Sequence, residues 1–190
     1  MRYEREHKTQ TRDRIVRNTA RKLRAEGLKG PGVASVMKAS GLTVGGFYKH
    51  FRGKHELFAE AIAQAFSDSQ KVYSSLQDVP REDRWKEVVR RYLSAEHSDH
   101  PDTGCPVAAL APEIARAKLA VRKQISGLMK ERAERWVEFM PGATAAERER
   151  NFFVIFSAMS GAVSIARLLT EPADREKVLA GMRDHILHSF

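Results

Sequence analysis

The chain is 190 residues long, 42% hydrophobic and 30% charged, with 33 Lys and Arg against 24 Asp and Glu for a net charge of +9. That length and apolar content provide a packed core, in one unit or in a small module joined to a larger one, and exclude a disordered chain. The single cysteine excludes an internal disulfide, and the longest apolar run, residues 152–166, carries Ser157, Ser160 and Ser164 and falls short of the about 20 residues that span a bilayer.

The amino-terminal residues are charged from Arg2 onward and contain no apolar stretch of a secretory signal, so a reducing cytoplasm is the expected location and no membrane partner is expected. No segment alternates as a strand does. Apolar residues recur at helical spacing throughout, so the fold is expected to be all-α with about nine helices. Thr9 or Thr11 is expected to cap a first helix with Ile15, Val16, Thr19, Ala20 and Leu23 on one side and Gly27 at its end. Lys29-Gly30-Pro31-Gly32 reads as a turn. Val33 to Ala39 follows as a short helix with Val33, Val36 and Met37 inward, Ser40-Gly41-Leu42 turns the chain, and Thr43 is placed to cap a second short helix ending near His50.

Gly53 leads into a long helix from Lys54 to about Leu76, with Phe58, Ile62, Ala65, Phe66, Ser69, Tyr73 and Leu76 in three-four spacing. Asp78-Val79-Pro80 breaks it, and Trp85, Val88, Val89, Tyr92 and Leu93 mark the next helix. A polar stretch runs from His97 to Gly104, and Pro106 suits the first turn of another helix that Pro112 interrupts or kinks. Val121, Ile125, Leu128, Met129, Trp136 and Met140 form the face of a further helix closed by Pro141-Gly142. Thr144-Ala145-Ala146-Glu147 is a capping box that starts a helix running to about Thr170. The last helix starts near Pro172 and carries Val178, Leu179, Met182, Ile186 and Leu187.

The charge is segregated. Residues 1–60 hold 14 Lys and Arg against 6 Asp and Glu, a balance of +8, whereas residues 61–190 hold 19 against 18. A polyanion partner accounts for this, because Lys and Arg that neutralise phosphates release condensed counterions; a solvated basic face is the alternative reading. The pair of short helices around Gly41 lies inside the basic third. A recognition helix meets base edges through its amino-terminal end. Gly45 and Gly46 leave the backbone there free to come close, and the two glycines cost about 1 kcal/mol each against Ala, for which a purely structural helix has little use. Thr43 and Tyr48 offer hydroxyls to phosphate oxygens, His50 and Lys54 extend the positive edge, and Lys49 is suited to guanine O6 or N7. Phe47 and Phe51, four apart, are the anchor to the core.

Ile15, Ala20, Leu23, Gly27, Val36, Ala39-Ser40-Gly41-Leu42 and above all Phe47-Tyr48-Lys49-His50-Phe51, with Lys54 and Leu57, carry a resemblance. Over Arg14 to Phe66 the chain resembles the DNA-binding domain of the TetR family of bacterial transcriptional regulators. It departs at Pro31-Gly32, where the family usually has a small polar cap for the second helix. Residues 160–167 are similar to the penultimate helix in one branch of the family. The resemblance implies a helix-turn-helix DNA-binding domain over residues 1–66 and a ligand-binding and dimerisation domain over residues 67–190. It implies a homodimer that binds a palindromic operator, most often as a repressor, and releases it to an effector, with no cofactor. By position, Thr43, Tyr48, His50 and Lys54 would meet phosphates, and Val44, Gly45 and Lys49, with Gly46 beside them, would face the groove.

Outside the head, Ser157, Ala158, Gly161, Ala162, Ile165 and Ala166, with Met182 and Ile186 on the last helix, are candidates for a dimer surface or for packing within one chain. Cys105, just before a helix start where the dipole favours a thiolate, has three readings: a sensor for oxidants or electrophiles, a metal site with His97 and His100 at a spacing that matches no known pattern, and a small buried hydrophobe. Trp85, Tyr92, Trp136, Phe139, Met140, Phe152, Phe153 and Phe156 are candidates to line an effector pocket and equally candidates for plain core. No phosphate loop, nucleophile elbow or His-Glu-x-x-His pair occurs, so an enzyme is not expected; the alternative is a small thiol enzyme using Cys105 with His97 or His100 as base. A basic helical module for membrane surfaces is also disfavoured, because the basic residues surround a broken helix pair.

Overall fold

No Gly or Pro interrupts residues 2–26, and the first helix, α1, spans Arg2–Glu26 without a break. The computed structural model describes the backbone of residues 2–69 and 75–190 and the side chains of residues 6–68 and 75–190. After α1 come α2 (Val33–Ala39), a tight 3-10 helix (Val44–Lys49), α3 (Lys54–Ser69), α4 (Arg84–Tyr92), α5 (Ala95–Asp99), α6 (Pro106–Ala115), α7 (Leu119–Val137), α8 (Ala145–Ala166) and α9 (Pro172–Ser189). Among the described residues there is no strand, and no helix is long and apolar enough to cross a membrane.

Several boundaries differ from the sequence expectation. Thr9 and Thr11 lie inside α1 rather than capping it, because residues 2–10 contain helix formers and nothing to stop them; Thr11 is buried. The continuation of α3 through residues 70–74, with Tyr73, lies outside the described residues, and Leu76 is buried in the carboxy-terminal core. The expected polar loop contains α5, nucleated when Ser94 Oγ accepts from the His97 amide at 3.2 Å. Pro112 sits inside α6 without ending it. Having no N–H, Pro112 leaves the Ala108 carbonyl without its helical donor, and Ser164 Oγ of α8 lies 3.0 Å from that oxygen and 2.8 Å from the Ser160 carbonyl. The capping box forms as the sequence reads: Thr144 Oγ1 accepts from the Glu147 amide, and Glu147 Oε2 accepts from the Thr144 amide, both at 3.1 Å. α8 stops at Ala166, earlier than Thr170, with Arg167 as its cap.

Buried apolar residues gather in clusters that run from head to body. Ile15, Val16, Val36, Met37, Phe47, Phe51 and Leu57 form the head. Ala20 and Leu23 of α1 and Ala61 to Phe66 of α3 pack with Leu110, Ile114 and Ile125 of α6 and α7. The largest cluster fills the body between α4, α7, α8 and α9.

The turn after α2 decides the head's shape. Gly41 takes φ +70°, its N–H donates to the Lys38 carbonyl at 3.0 Å and the Leu42 N–H donates to the Met37 carbonyl at 2.9 Å. These crossed bonds form a Schellman motif, and Leu42 packs back on the head cluster. Asn18 Nδ2 donates to the Ala39 carbonyl and to Ser40 Oγ, both at 3.1 Å, so α1 holds the end of α2. Gly45, by contrast, has no positive φ, and a Cβ there would meet nothing within 4 Å. Gly41→Ala is therefore expected to lower stability by about 1 kcal/mol, because an L side chain resists the left-handed region. Gly45→Ala is expected to raise it by roughly 0.5 kcal/mol. Urea unfolding of the two variants checks the opposite signs.

Candidate nucleic-acid interface

The 3-10 helix stands on its aromatic side. Phe47 and Phe51 are buried, with ring centroids 5.7 Å apart and near parallel. Each contributes roughly 1.5–3 kcal/mol of burial, enough to hold a six-residue helix carrying two glycines. Thr43 occupies the cap position without a side-chain cap bond: in the tighter helix the Gly46 amide donates to the Thr43 carbonyl at 3.1 Å instead, which leaves the hydroxyl for another partner. Thr43, Val44, Gly45, Tyr48 and Lys49 are exposed, Tyr48 at 76%; Gly46 and His50 are half-buried. Lys54 is half-buried with its ammonium 4.7 Å from the centre of the Phe58 ring.

Arg12 of α1 fixes the far end of this helix. Its Nε donates to the His50 carbonyl at 3.3 Å, its guanidinium pairs with both oxygens of Glu60 and with Glu56 of α3, and it lies 4.5 Å over the Phe51 ring. The hydrogen bond to Glu60, reinforced by the charge of both carboxylates, raises the Arg12 pKa despite burial. His50 goes the other way: burial, then the charges of Lys8, Arg12 and Lys49, lower its pKa below the usual value. Its Nδ1 is buried and has no hydrogen-bond partner among the described residues. The sequence reading missed Arg12; its only signal is its place one turn before the apolar stripe of α1.

α1 also reaches the body. Arg24, which the four-residue step from Ala20 puts on the apolar face, is 4% exposed. Its Nε donates to the Asp102 carbonyl at 2.6 Å and its guanidinium lies 3.9 Å from Asp68. Burial lowers its pKa, against the pull of Asp68 and Asp102. Just past α1, the Leu28 amide donates to Glu113 of α6 at 2.6 Å, and a Cβ at Gly27 (φ +78°) would strike that carboxylate.

The sensor and metal candidates meet in the same region. Cys105 is buried at the cap position of α6. Its amide donates to His97 Nε2 at 3.0 Å, and His97 Nδ1 lies 2.7 Å from the Tyr92 carbonyl. An amide only donates and a carbonyl only accepts, so the ring is neutral with its proton on Nδ1. Neither nitrogen is left for zinc or for the Cys105 thiol proton. His100 lies apart, exposed, with Nδ1 on the Glu96 carbonyl. Among the described residues no cluster of three His, Cys, Asp or Glu is placed to hold a metal.

Cys105, Tyr92, His97, Thr103 and Arg132 border an open cleft of about 730 Å³. The aromatic candidates divide: Trp85, Tyr92, Trp136, Met140, Phe152 and Phe156 close on about 20 Å³ between them, while Tyr92 and Trp136 also border the open cleft and Trp85, Phe139 and Met140 line a second opening of about 610 Å³. Phe139 sits at the bundle's end under Arg84, 5.2 Å from its guanidinium, and Phe153 is exposed. The small-residue stripe is split. Ala162, Ala166 and Ile186 are buried in the chain's own core, Ala158 and Met182 are half-buried, and Ser157, Gly161 and Ile165 are exposed, in line with exposed Val154 and Leu168.

Residues 15–61 match the family described as "Bacterial regulatory proteins, tetR family". No curated protein matches the chain as a whole. Among solved structures it is similar to a TetR family transcriptional regulator from Cytophaga hutchinsonii (20% identity, 96% of each chain, TM-score 0.78) and to a TetR transcriptional regulator from Chloroflexus aurantiacus (22%, 96% of each chain, 0.77). It is also similar to E. coli NemR in its reduced form (16%, 94% of this chain and 96% of that one, 0.76). At these identities the likeness establishes the fold.

His97 carries its own test. Burial pushes its pKa down to about 4, with the Tyr92 carbonyl opposing the shift. A depressed histidine favours the fold above the unfolded value near 6.5, and that contribution is lost as pH falls toward 4. Unfolding free energy is expected to drop by about 3 kcal/mol across that window, and His97→Gln is expected to flatten the drop; chemical denaturation at stepped pH measures both.

Proposed function

We propose, from the match of residues 15–61 to the tetR family of bacterial regulatory proteins, that the chain is a transcriptional repressor of that kind, a homodimer that grips a palindromic operator with two heads and releases it when a small molecule occupies the body. Residues 1–66 act as the DNA-binding head and residues 67–190 as the effector and dimerisation body. The observation that carries the reading is the exposed face Thr43, Val44, Gly45, Tyr48 and Lys49, raised on buried Phe47 and Phe51 in the most basic third of the chain. Val44, Gly45 and Lys49 meet base edges, with Gly46 allowing close backbone contact. Thr43, Tyr48, His50 and Lys54 take phosphates.

Release follows from where the cleft lies. Thr103, Gly104 and Cys105 border it, and the Asp102 carbonyl beside them receives Arg24 of α1. A ligand that shifts residues 102–105 pulls on α1, and α1 holds the recognition helix through Arg12. An electrophile is a second reading of the effector, favoured by the position of the Cys105 thiol at the cleft. Intact mass after exposure to an electrophile, followed with DNA release in the wild type and in Cys105→Ser, separates the two: a small molecule that binds without a covalent bond acts on both.

A gel-shift titration on the DNA upstream of the gene tests the reading. Binding is expected to weaken steeply with salt. Lys49→Ala is expected to cost about 1–3 kcal/mol on the specific site and less on random sequence. Gly45→Ala is expected to weaken binding although it stabilises the head, a split that a plain folding defect does not produce. A duplex affinity indifferent to salt and to Lys49→Ala would count against the proposal.

The dimer surface is assigned to Val154, Ser157, Gly161 and Ile165, one exposed line along α8, with exposed Leu168 in the turn just beyond it. Ile165→Glu is expected to give monomers in sedimentation at micromolar protein and to remove tight operator binding. A monomeric wild type would oppose this assignment.

A further inference from the structure

We propose that Lys8, on the exposed amino-terminal turns of α1, takes a backbone phosphate of the same duplex at the groove rim, so that the DNA interface of each head extends beyond its helix-turn-helix. The inference rests on the reading that the head binds duplex DNA. Between Tyr3 and Ile15 the sequence has no apolar residue, and the side chains of residues 6–10 are all exposed. Residues 6–10 bury no side chain in the core; what they present is polar and charged surface.

Arg12 sets where that surface lies. Its bond to the His50 carbonyl and its pairing with Glu56 and Glu60 fix this part of α1 against the end of the recognition helix and the start of α3. Lys8 is one turn before Arg12 on the same face, about 6 Å farther along the axis. After burial, the charge of Lys8, with those of Arg12 and Lys49, lowers the His50 pKa, in keeping with a place on this face of α1.

The two cations on this face differ in their partners. Arg12 is neutralised by two carboxylates and serves as scaffold. Among the described residues no acid pairs with Lys8 or with Lys49. Like charges gathered around a neutral histidine without counter-ions repel one another in the free protein, and a row of phosphates relieves that repulsion. The duplex backbone that borders a groove holding Lys49 supplies such a row.

The test compares wild type, Lys8→Ala and Lys49→Ala by fluorescence anisotropy on two labelled duplexes, the upstream DNA of the gene and a random sequence, between about 50 and 200 mM salt. Lys8→Ala is expected to make the slope of log K against log salt shallower by about 0.9 per lost contact, near 2 for a dimer, and equally on both duplexes, because a phosphate contact carries no sequence information. A slope unchanged in Lys8→Ala, while Lys49→Ala weakens specific binding, overturns the Lys8 contact and leaves the reading of the head standing. If the wild type binds neither duplex, both fall. NMR titration of His50 without DNA gives a second check: its pKa is expected to rise in Lys8→Ala, and no movement overturns the proposal. Thermal melting by circular dichroism establishes that the variants are folded.

Discussion

The head depends on what one guanidinium joins. Arg12 donates to the backbone carbonyl just past the 3-10 helix, pairs with two carboxylates of α3 and covers the face of Phe51. Each contact is partly exposed and individually modest once solvent screening is counted. Their effect is geometric. A six-residue 3-10 helix with two glycines has little internal stability. Two buried phenylalanines give it depth, the Schellman turn at Gly41 gives it direction, and Arg12 stops its far end from swinging.

The same helix that carries Arg12 carries Arg24 a little over three turns further on, and the environments contrast. Arg12 works at the surface with its charge balanced. Arg24 is buried, and it donates to a backbone oxygen in the loop before α6. With Glu113 holding the Leu28 amide, α1 is a rod fixed at one end to the 3-10 helix and at the other to α6 and the loop before it. Between those ends it packs on α3 in a cluster shared with α6 and α7, so head and body meet through apolar contact.

Much of this was legible in the sequence where side-chain type and backbone geometry are tied together. Gly41 in a Ser-Gly-Leu turn, Phe47 and Phe51 four residues apart, and Thr144 with Glu147 each have one physical use at their spacing. What escaped was set by distant partners or by an absence of pattern. The early turns of α1 have no apolar repeat, so nothing marked their start. α5 is too short and polar to display a period. Arg24 fell on the apolar face by spacing, yet a charge reads as solvated until a carbonyl 78 residues away is seen to meet it. His97 looked like a ligand or base because its two nitrogens are invisible in sequence; Tyr92 and Cys105 occupy both. The aromatic residues of α4, α7 and α8 were ambiguous between pocket and core because periodicity reports which way a side chain faces and not whether a gap lies before it.

Ser164 has a single hydroxyl proton and two carbonyl oxygens within reach, one in its own helix and one orphaned by Pro112 in α6. The Ser160 carbonyl keeps its helical N–H donor whichever way the hydroxyl turns, whereas the Ala108 carbonyl has none, so the unmet acceptor draws the proton toward α6. A proline that would merely weaken an isolated helix thereby turns one serine into a clasp between neighbouring helices.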